Sequence, residues 1–283
     1  MAKPITASMV KELRDRTGIG MSKCKQALEE SKGDMDLAIE NLRKSGEASA
    51  VKKEGRTTKE GLIGAAENQE AIALIEINAE TDFVVKNERF QEFLTALANQ
   101  AVSTTPATLE DFLQQKSSHE NMTIEQYRAS LVNTIGENIQ IKRLKIFQKN
   151  SNHSFGVYSH LGGKIVAVVE VSGANNEEAF AREVAMHVAA AAPEYLSPET
   201  VPEQVIAQER DIAKSQVEGK KPENIIDKIV EGKLKSFFNA TCLLQQKFIK
   251  DEELSIEELV DRKAKETGKP LSITSFLRWN VGQ

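Results

Sequence analysis

Two stretches of the chain are built to one plan, and such a repeat constrains the fold tightly, because each copy has to bury equivalent faces of equivalent elements. Residues 61–101 and 156–193 each read as two short apolar strands followed by an amphipathic helix. Ala71-Ile72-Ala73-Leu74-Ile75-Glu76-Ile77-Asn78 aligns with Ile165-Val166-Ala167-Val168-Val169-Glu170-Val171-Ser172, and Phe90 and Phe93 are matched by Phe180 and Val184. Between strand and helix only the first copy carries Glu80-Thr81-Asp82-Phe83-Val84; the second crosses by a plain turn, Gly173-Ala174-Asn175-Asn176. The scaffold therefore does not need a phenylalanine at that junction, and the asymmetry points to function.

The repeat extends past its first helix. Thr123-Ile124-Glu125 opens a helix running to about Ile135 that feeds the strand Ile139-Gln140-Ile141-Lys142-Arg143-Leu144. Ser255-Ile256-Glu257 opens one that feeds Ser275-Phe276-Leu277-Arg278-Trp279-Asn280-Val281. Both strands alternate apolar and polar residues, as half-buried strands do. Each copy is thus strand, strand, helix, helix, strand, and the fold class is α+β: a duplicated two-layer core of antiparallel sheets with helices, residues 60–148 and 149–283. Within the second copy, residues 202–238 read as a protruding antiparallel helical hairpin joined at Gly219-Lys220-Lys221-Pro222. Its apolar seam is Ile212, Val217, Ile225, Ile226, Ile229, Val230 and Leu234 on otherwise charged helices, the coiled-coil-like pattern of a protruding hairpin, and the hairpin is the candidate element for dimerisation.

Ahead of the repeat, residues 1–45 form a three-helix module. Ser8 is a cap for the first helix, Gly18 and Gly20 break it, and Ser22 precedes a second helix with the stripe Cys24, Ala27 and Leu28. Gly33-Asp34 opens a third helix over 35–44, with Leu37, Ala38, Asn41 and Leu42 at helical spacing. Residues 46–59 turn to Lys, Glu, Thr and Ser, which predicts a solvated linker.

With 283 residues, 40% of them apolar, the chain can build a proper core. A net charge of −5 argues against nucleic-acid binding through an overall basic field, so a protein partner fits better. Cys24 and Cys242 are far apart in sequence, which suits a reducing cytoplasm and excludes a disulfide framework. The N-terminus has no signal-peptide core, and no apolar run approaches a membrane span, so a cytoplasmic, membrane-free site is expected.

Taken alone, Thr81 or Asp82 is a good helix N-cap and Phe83 a good staple residue against the following helix. The sister junction weighs against that for Phe83, and an aromatic at a loop tip beside a carboxylate is a binding anchor. Gly18-Ile19-Gly20-Met21 followed by Lys23 and Lys25 is no phosphate cradle, since no strand precedes it and no Gly-x-x-x-x-Gly-Lys-Ser/Thr occurs. A DNA-reading helix-turn-helix on the same spacing is disfavoured by the acidic charge. His119, His153, His160 and His187 have no ligand spacing, His187 reads as a packing residue on an apolar helix, and His160 as exposed in a turn. No nucleophile, base and orienter form a set, so the chain is not read as an enzyme.

Two segments carry a resemblance: Leu13-Arg14-Asp15-Arg16-Thr17-Gly18-Ile19-Gly20-Met21-Ser22-Lys23-Cys24-Lys25-Gln26-Ala27-Leu28 and Glu76-Ile77-Asn78-Ala79-Glu80-Thr81-Asp82-Phe83-Val84-Val85-Lys86. Together with Ile135-Gly136-Glu137-Asn138-Ile139 and Met186-His187-Val188-Ala189-Ala190, they closely resemble the hallmarks of bacterial elongation factor Ts, over nearly the whole chain. The resemblance implies a guanine nucleotide exchange factor for the GTPase elongation factor Tu, with no cofactor, metal or nucleotide of its own. The N-terminal module would be ubiquitin-associated-like, with Arg14, Met21 and Lys25 touching the GTPase. Thr81, Asp82, Phe83 and Val84 would reach its magnesium and phosphate site, with Phe83 as the wedge. Ile135 and His160 would flank that contact, and Ile249 and Lys250 would grip the far domains.

The chain departs from the pattern in three places. Ser22 stands where a second methionine is common, Val85 replaces a small residue, and the chain ends at Gln283 where relatives continue into a partner-packing helix, a contact expected to be missing. Two other readings compete. A ubiquitin-associated-like adaptor or nascent-chain-binding protein would use the small module on an apolar helix. An enzyme would need a deep pocket with perturbed titratable groups between the repeats.

Overall fold

The computed structural model describes residues 4–217 and 222–283. The chain divides into two compact units, Met1–Gln148 with Asn280–Gln283, and Lys149–Trp279. In the first unit three helices, α1 (Ala7–Thr17), α2 (Met21–Glu30) and α3 (Met35–Lys53), precede the strands β1 (Glu60–Glu67) and β2 (Ala71–Ala79). Helices α4 (Asp82–Val85), α5 (Glu88–Thr104), α6 (Leu109–Gln114) and α7 (Ile124–Ile135) follow, and β3 (Ile139–Gln148) closes the unit's sheet. The second unit holds β4 (His153–His160), β5 (Ile165–Ser172), α8 (Glu178–Ala191), α9 (Glu203–Ser215) and α10 (Glu223–Thr241). The short strands β6 (Lys247–Phe248) and β7 (Asp251–Ser255), then α11 (Ile256–Thr267) and β8 (Ser272–Asn280), complete it.

The duplication is visible in the sheets. Their strand orders are β1-β2-β3 and β4-β5-β8, so the two aligned segments are the central strands. β2 is buried along its whole length, and one face of it, Ala71, Ala73, Ile75, Ile77 and Ala79, packs into the core beneath α5. Phe90, Phe93, Phe180 and Val184, matched in the alignment, are all buried on their helices. The aligned glutamates are handled alike. Glu76 is fully buried and its Oε2 accepts from Arg143 Nε at 2.6 Å, while its Oε1 accepts the Gly282 N–H at 3.0 Å. Glu170 accepts from Ser275 Oγ at 2.7 Å and pairs with His153 Nδ1 at 2.6 Å. Burial pushes the Glu170 carboxyl up, yet the hydrogen bonds from Ser275, His153 and Thr274 outweigh it and hold the group below its ordinary value. Gly156 on β4 is where α8 crosses: a Cβ there would lie 2.1 Å from the backbone of Ala181 and Arg182, so only glycine lets the helix lie so close.

Several expectations need correction. Thr6, not Ser8, caps α1, accepting from Met9 N at 3.3 Å. Ser22 lies inside α2, which begins at Met21. Ala38 and Leu42 are buried in the small helical core, but Leu37 is exposed. The composition-based linker is largely helical. α3 runs on to Lys53 because Gly46 and Ala50 face α7, where Gly46 lies against Asn133 and Ala50 joins the main core of the unit. Small residues among Lys and Glu look solvated in composition, yet they are what lets two helices approach. α6 and the β6–β7 pair were not foreseen. The seam between α9 and α10 runs through Ala213, Val230 and Leu234, leaving Ile212 and Ile225 exposed. Glu218, Gly219, Lys220 and Lys221, which include most of the expected hairpin joint, lie outside the described residues.

Candidate functional site

The extra segment of the first copy forms the single helical turn α4, wedged between β2 and α5. Val84 and Val85 point into the core and are buried, so the turn is anchored from below. Phe83 points the other way and is 79% exposed. It is therefore no staple: the residue that caps α5 is Asn87, whose side chain accepts from Arg89 N at 3.0 Å. Asp82 is the first residue of α4 rather than its cap, and its Oδ2 accepts from Lys86 Nζ at 2.7 Å. Both side chains of that pair are at least half exposed, so it contributes little to stability. Phe83 is thus an exposed aromatic on a turn whose other apolar residues point inward.

Thr81 and Glu80, the entry to this turn, are held by the segment after α7. Thr81 Oγ donates to Oε1 and Oε2 of Glu137, each at 3.0 Å, and the Asn138 N–H donates to Glu80 Oε1 at 2.6 Å. Ile135, at the end of α7, is half-buried against the core and sits just before this segment. Gly136 follows with φ 94°, in the left-handed region, and ends the helix by donating to Val132 O. The structure thus brings Thr81, Asp82, Phe83, Val84 and Ile135 into one neighbourhood of the first unit. Sequence reasoning passed over Glu137 and Asn138 as chemistry. The only signal was their position inside a recognised motif before a strand.

Arg14, Met21 and Lys25 lie on the small helical module of the same unit. All three are exposed, Met21 at 49%, and Lys25 Nζ lies 3.7 Å from Glu29. Gly18 terminates α1 with φ 69°, and its carbonyl accepts from Arg89 Nη1 at 3.4 Å. Lys23 Nζ donates to Asn133 Oδ1 at 2.9 Å. These lysine and glycine positions thus tie the module to α5 and α7.

The remaining residues belong to the second unit. His160 ends β4, is exposed, and stacks on Tyr158 with ring centroids 6.1 Å apart. Ile249 and Lys250 form the two-residue turn between β6 and β7, where Phe248 pairs with Asp251. Ile249 is 41% exposed, and Lys250 Nζ lies 3.1 Å from Glu183 Oε1. Underneath, His187 is fully buried, as a packing residue should be.

Among the described residues no group of three or more His, Cys, Asp or Glu could hold a metal ion, and no helix is long and apolar enough to cross a membrane. A cavity of about 640 Å³ in the first unit is lined by Glu88, Glu92, Thr95, His119, Glu120 and Tyr127 among others.

A model of the elongation factor TS family matches residues 80–283. Elongation factor Ts of Protochlamydia amoebophila is 61% identical over 280 residues, covering 99% of both chains. That of Chlamydia muridarum is 46% identical and that of Chlamydia felis 41%, each over 274 residues, 96% of this chain and 97% of the relative. Family match and full-length identity agree with the exposed turn at Phe83: the chain belongs to the elongation factor Ts family.

Proposed function

We propose that this protein is the guanine nucleotide exchange factor of the GTPase elongation factor Tu, acting in the cytoplasm by binding the GDP-bound GTPase and promoting release of GDP. The observation that carries the reading is Phe83, 79% exposed on a turn whose neighbours Val84 and Val85 are buried, at a junction that the sister copy crosses without an aromatic. Asp82 and Phe83 enter the partner at its magnesium and phosphate site, with Phe83 as the wedge. Such a wedge lowers nucleotide affinity, and by linkage bound nucleotide lowers affinity for the factor by the same ratio. A tenfold weakening of GDP needs about 1.4 kcal/mol of differential binding, within the reach of one buried aromatic anchor. The factor itself makes and breaks no covalent bond and binds no cofactor.

The other contacts follow the same reading. Residues 1–45 act as a ubiquitin-associated-like module that presents Arg14, Met21 and Lys25, and residues 60–148 form the core that carries the wedge. Ile135 and His160 flank the entry site, while Ile249 and Lys250 grip the far domains of the partner. α9 and α10 form a helical hairpin within residues 149–283, suited to self-association through the exposed Ile212 and Ile225. The test is release of a fluorescent GDP analogue from elongation factor Tu: the wild-type chain accelerates it, and no acceleration would refute the reading.

A further inference from the structure

We propose that Glu137 is a positioning residue for the exchange turn: its carboxylate holds Thr81, and through Thr81 sets the direction in which Asp82 and Phe83 leave the sheet. The inference rests on the reading of Asp82 and Phe83 as the exchange element. A threonine at an N-cap ordinarily turns its hydroxyl back to accept from the first-turn N–H groups. Thr81 occupies the N-cap position of α4, with φ −130° and ψ 159°, yet its side chain makes no such bond. The hydroxyl proton goes instead to Glu137, with both carboxylate oxygens at 3.0 Å. A hydrogen bond to an ionised acceptor is roughly twice as strong as a neutral one. One residue earlier, Glu80 Oε1 takes the Asn138 N–H at 2.6 Å, so consecutive residues on one segment are pinned to consecutive residues on the other.

The pinning segment is itself immobilised. Lys53 Nζ, at the end of α3, donates to the Gly136 carbonyl at 2.8 Å. Asn138, fully buried, donates through Nδ2 to the carbonyls of Glu54 at 3.2 Å and Arg56 at 2.9 Å. Residues 136–138 therefore connect the end of α3 to the entry of the exchange turn. That turn needs external support, because four residues cannot stabilise a helical turn by themselves. Val84 and Val85 anchor it after Phe83, and Thr81 and Glu80 anchor it before. Losing the Thr81 contact leaves the fold intact and lets the entry to the turn wander, so its ordering has to be paid on binding.

The experiment measures fluorescent-GDP release from elongation factor Tu against concentration of the full-length factor, with the melting temperature of each variant. Thr81→Val and Glu137→Ala are each expected to raise the half-maximal concentration by about tenfold, with the maximal rate and melting temperature retained. The double variant is expected to be no worse than the worse single, since both remove one contact. Thr81→Ser, which keeps the hydroxyl that donates to Glu137, is expected to recover most of the affinity lost in Thr81→Val. Wild-type half-maximal concentrations for both singles, or multiplied losses in the double, would overturn the proposal. So would a large fall in melting temperature, which would make the contact part of the core. Phe83→Ala separates the two readings: slow exchange with Phe83→Ala but normal exchange with Thr81→Val and Glu137→Ala removes only the positioning role, whereas normal exchange with Phe83→Ala removes the wedge.

Discussion

The backbone N–H of Ile249 donates to Nδ1 of His187 at 3.3 Å. That bond assigns the imidazole tautomer: with Nδ1 accepting, the proton is on Nε2, which lies 2.9 Å from Gln246 Oε1 and donates to it. Gln246 is oriented in turn by its Nε2 bond to the Ala240 carbonyl at 2.7 Å. A buried neutral histidine thereby fixes the turn that displays Ile249 and Lys250.

Acid should loosen this turn. Burial holds the His187 pKa below its ordinary 6.5, opposed only in part by the Gln246 hydrogen bond. Between the folded and unfolded values the unfolded chain binds the proton and the native chain does not, so stability rises with pH there. The His187 contribution is fully present above about pH 6.5 and is lost as pH falls through the lowered folded value. His187→Leu should remove this part of the pH dependence at a cost of about 1–3 kcal/mol for the orphaned partners. Urea titrations at several pH values check both, and an unchanged pH profile in His187→Leu would refute the assignment.

Phe83→Ala should leave stability within about 0.5 kcal/mol of wild type, because the residue is 79% exposed. Its effect should appear in exchange, as a loss equivalent to about 2 kcal/mol or more at the interface. Thermal melting and GDP release, measured on one preparation, separate a binding anchor from a core residue.

Removing residues 1–50 should do more than weaken partner binding. Gly46 and Ala50 lie on the part of α3 that packs against α7, and Ala50 belongs to the main core of the first unit. Loss of that packing should lower the melting temperature, whereas cutting before Met35 should do so less. Equal melting temperatures for the two truncations would show that the continuation of α3 is not needed by the core.

Glu76→Ala should be among the most costly single changes. The carboxylate is fully buried, accepts from Arg143 and receives the Gly282 N–H, so its loss disrupts a buried ionic contact at about 3–5 kcal/mol. Denaturant unfolding gives the value. A change below about 1 kcal/mol would mean that the contacts at Glu76 contribute little net stability.

The repeat was legible because its signal is local. Alternating and continuous apolar runs, the Thr123 and Ser255 capping boxes, and the matched Phe90 and Phe180 depend on residues a few positions apart, and the elements formed as their periods require. The linker and part of the hairpin seam were misread for the complementary reason, although Val230 and Leu234 lie in the seam as expected. Ala50 and Ala213 are too small to register in a hydrophobic pattern, yet a small side chain is what a close helix crossing selects, and which helix crosses there is decided by distant chain.

The same division holds for the candidate site. Sequence alone determined that one junction carries Thr81-Asp82-Phe83-Val84 where its sister has a plain turn, since that is a comparison of residue types at equivalent positions. Only tertiary structure decided which way the residues face: Val84 and Val85 inward, Phe83 outward, and the Thr81 hydroxyl toward Glu137, 56 residues further along the chain. A side chain's direction depends on what the folded backbone places beside it, and the segment ending α7 reaches Thr81 only because β3 pairs with β2.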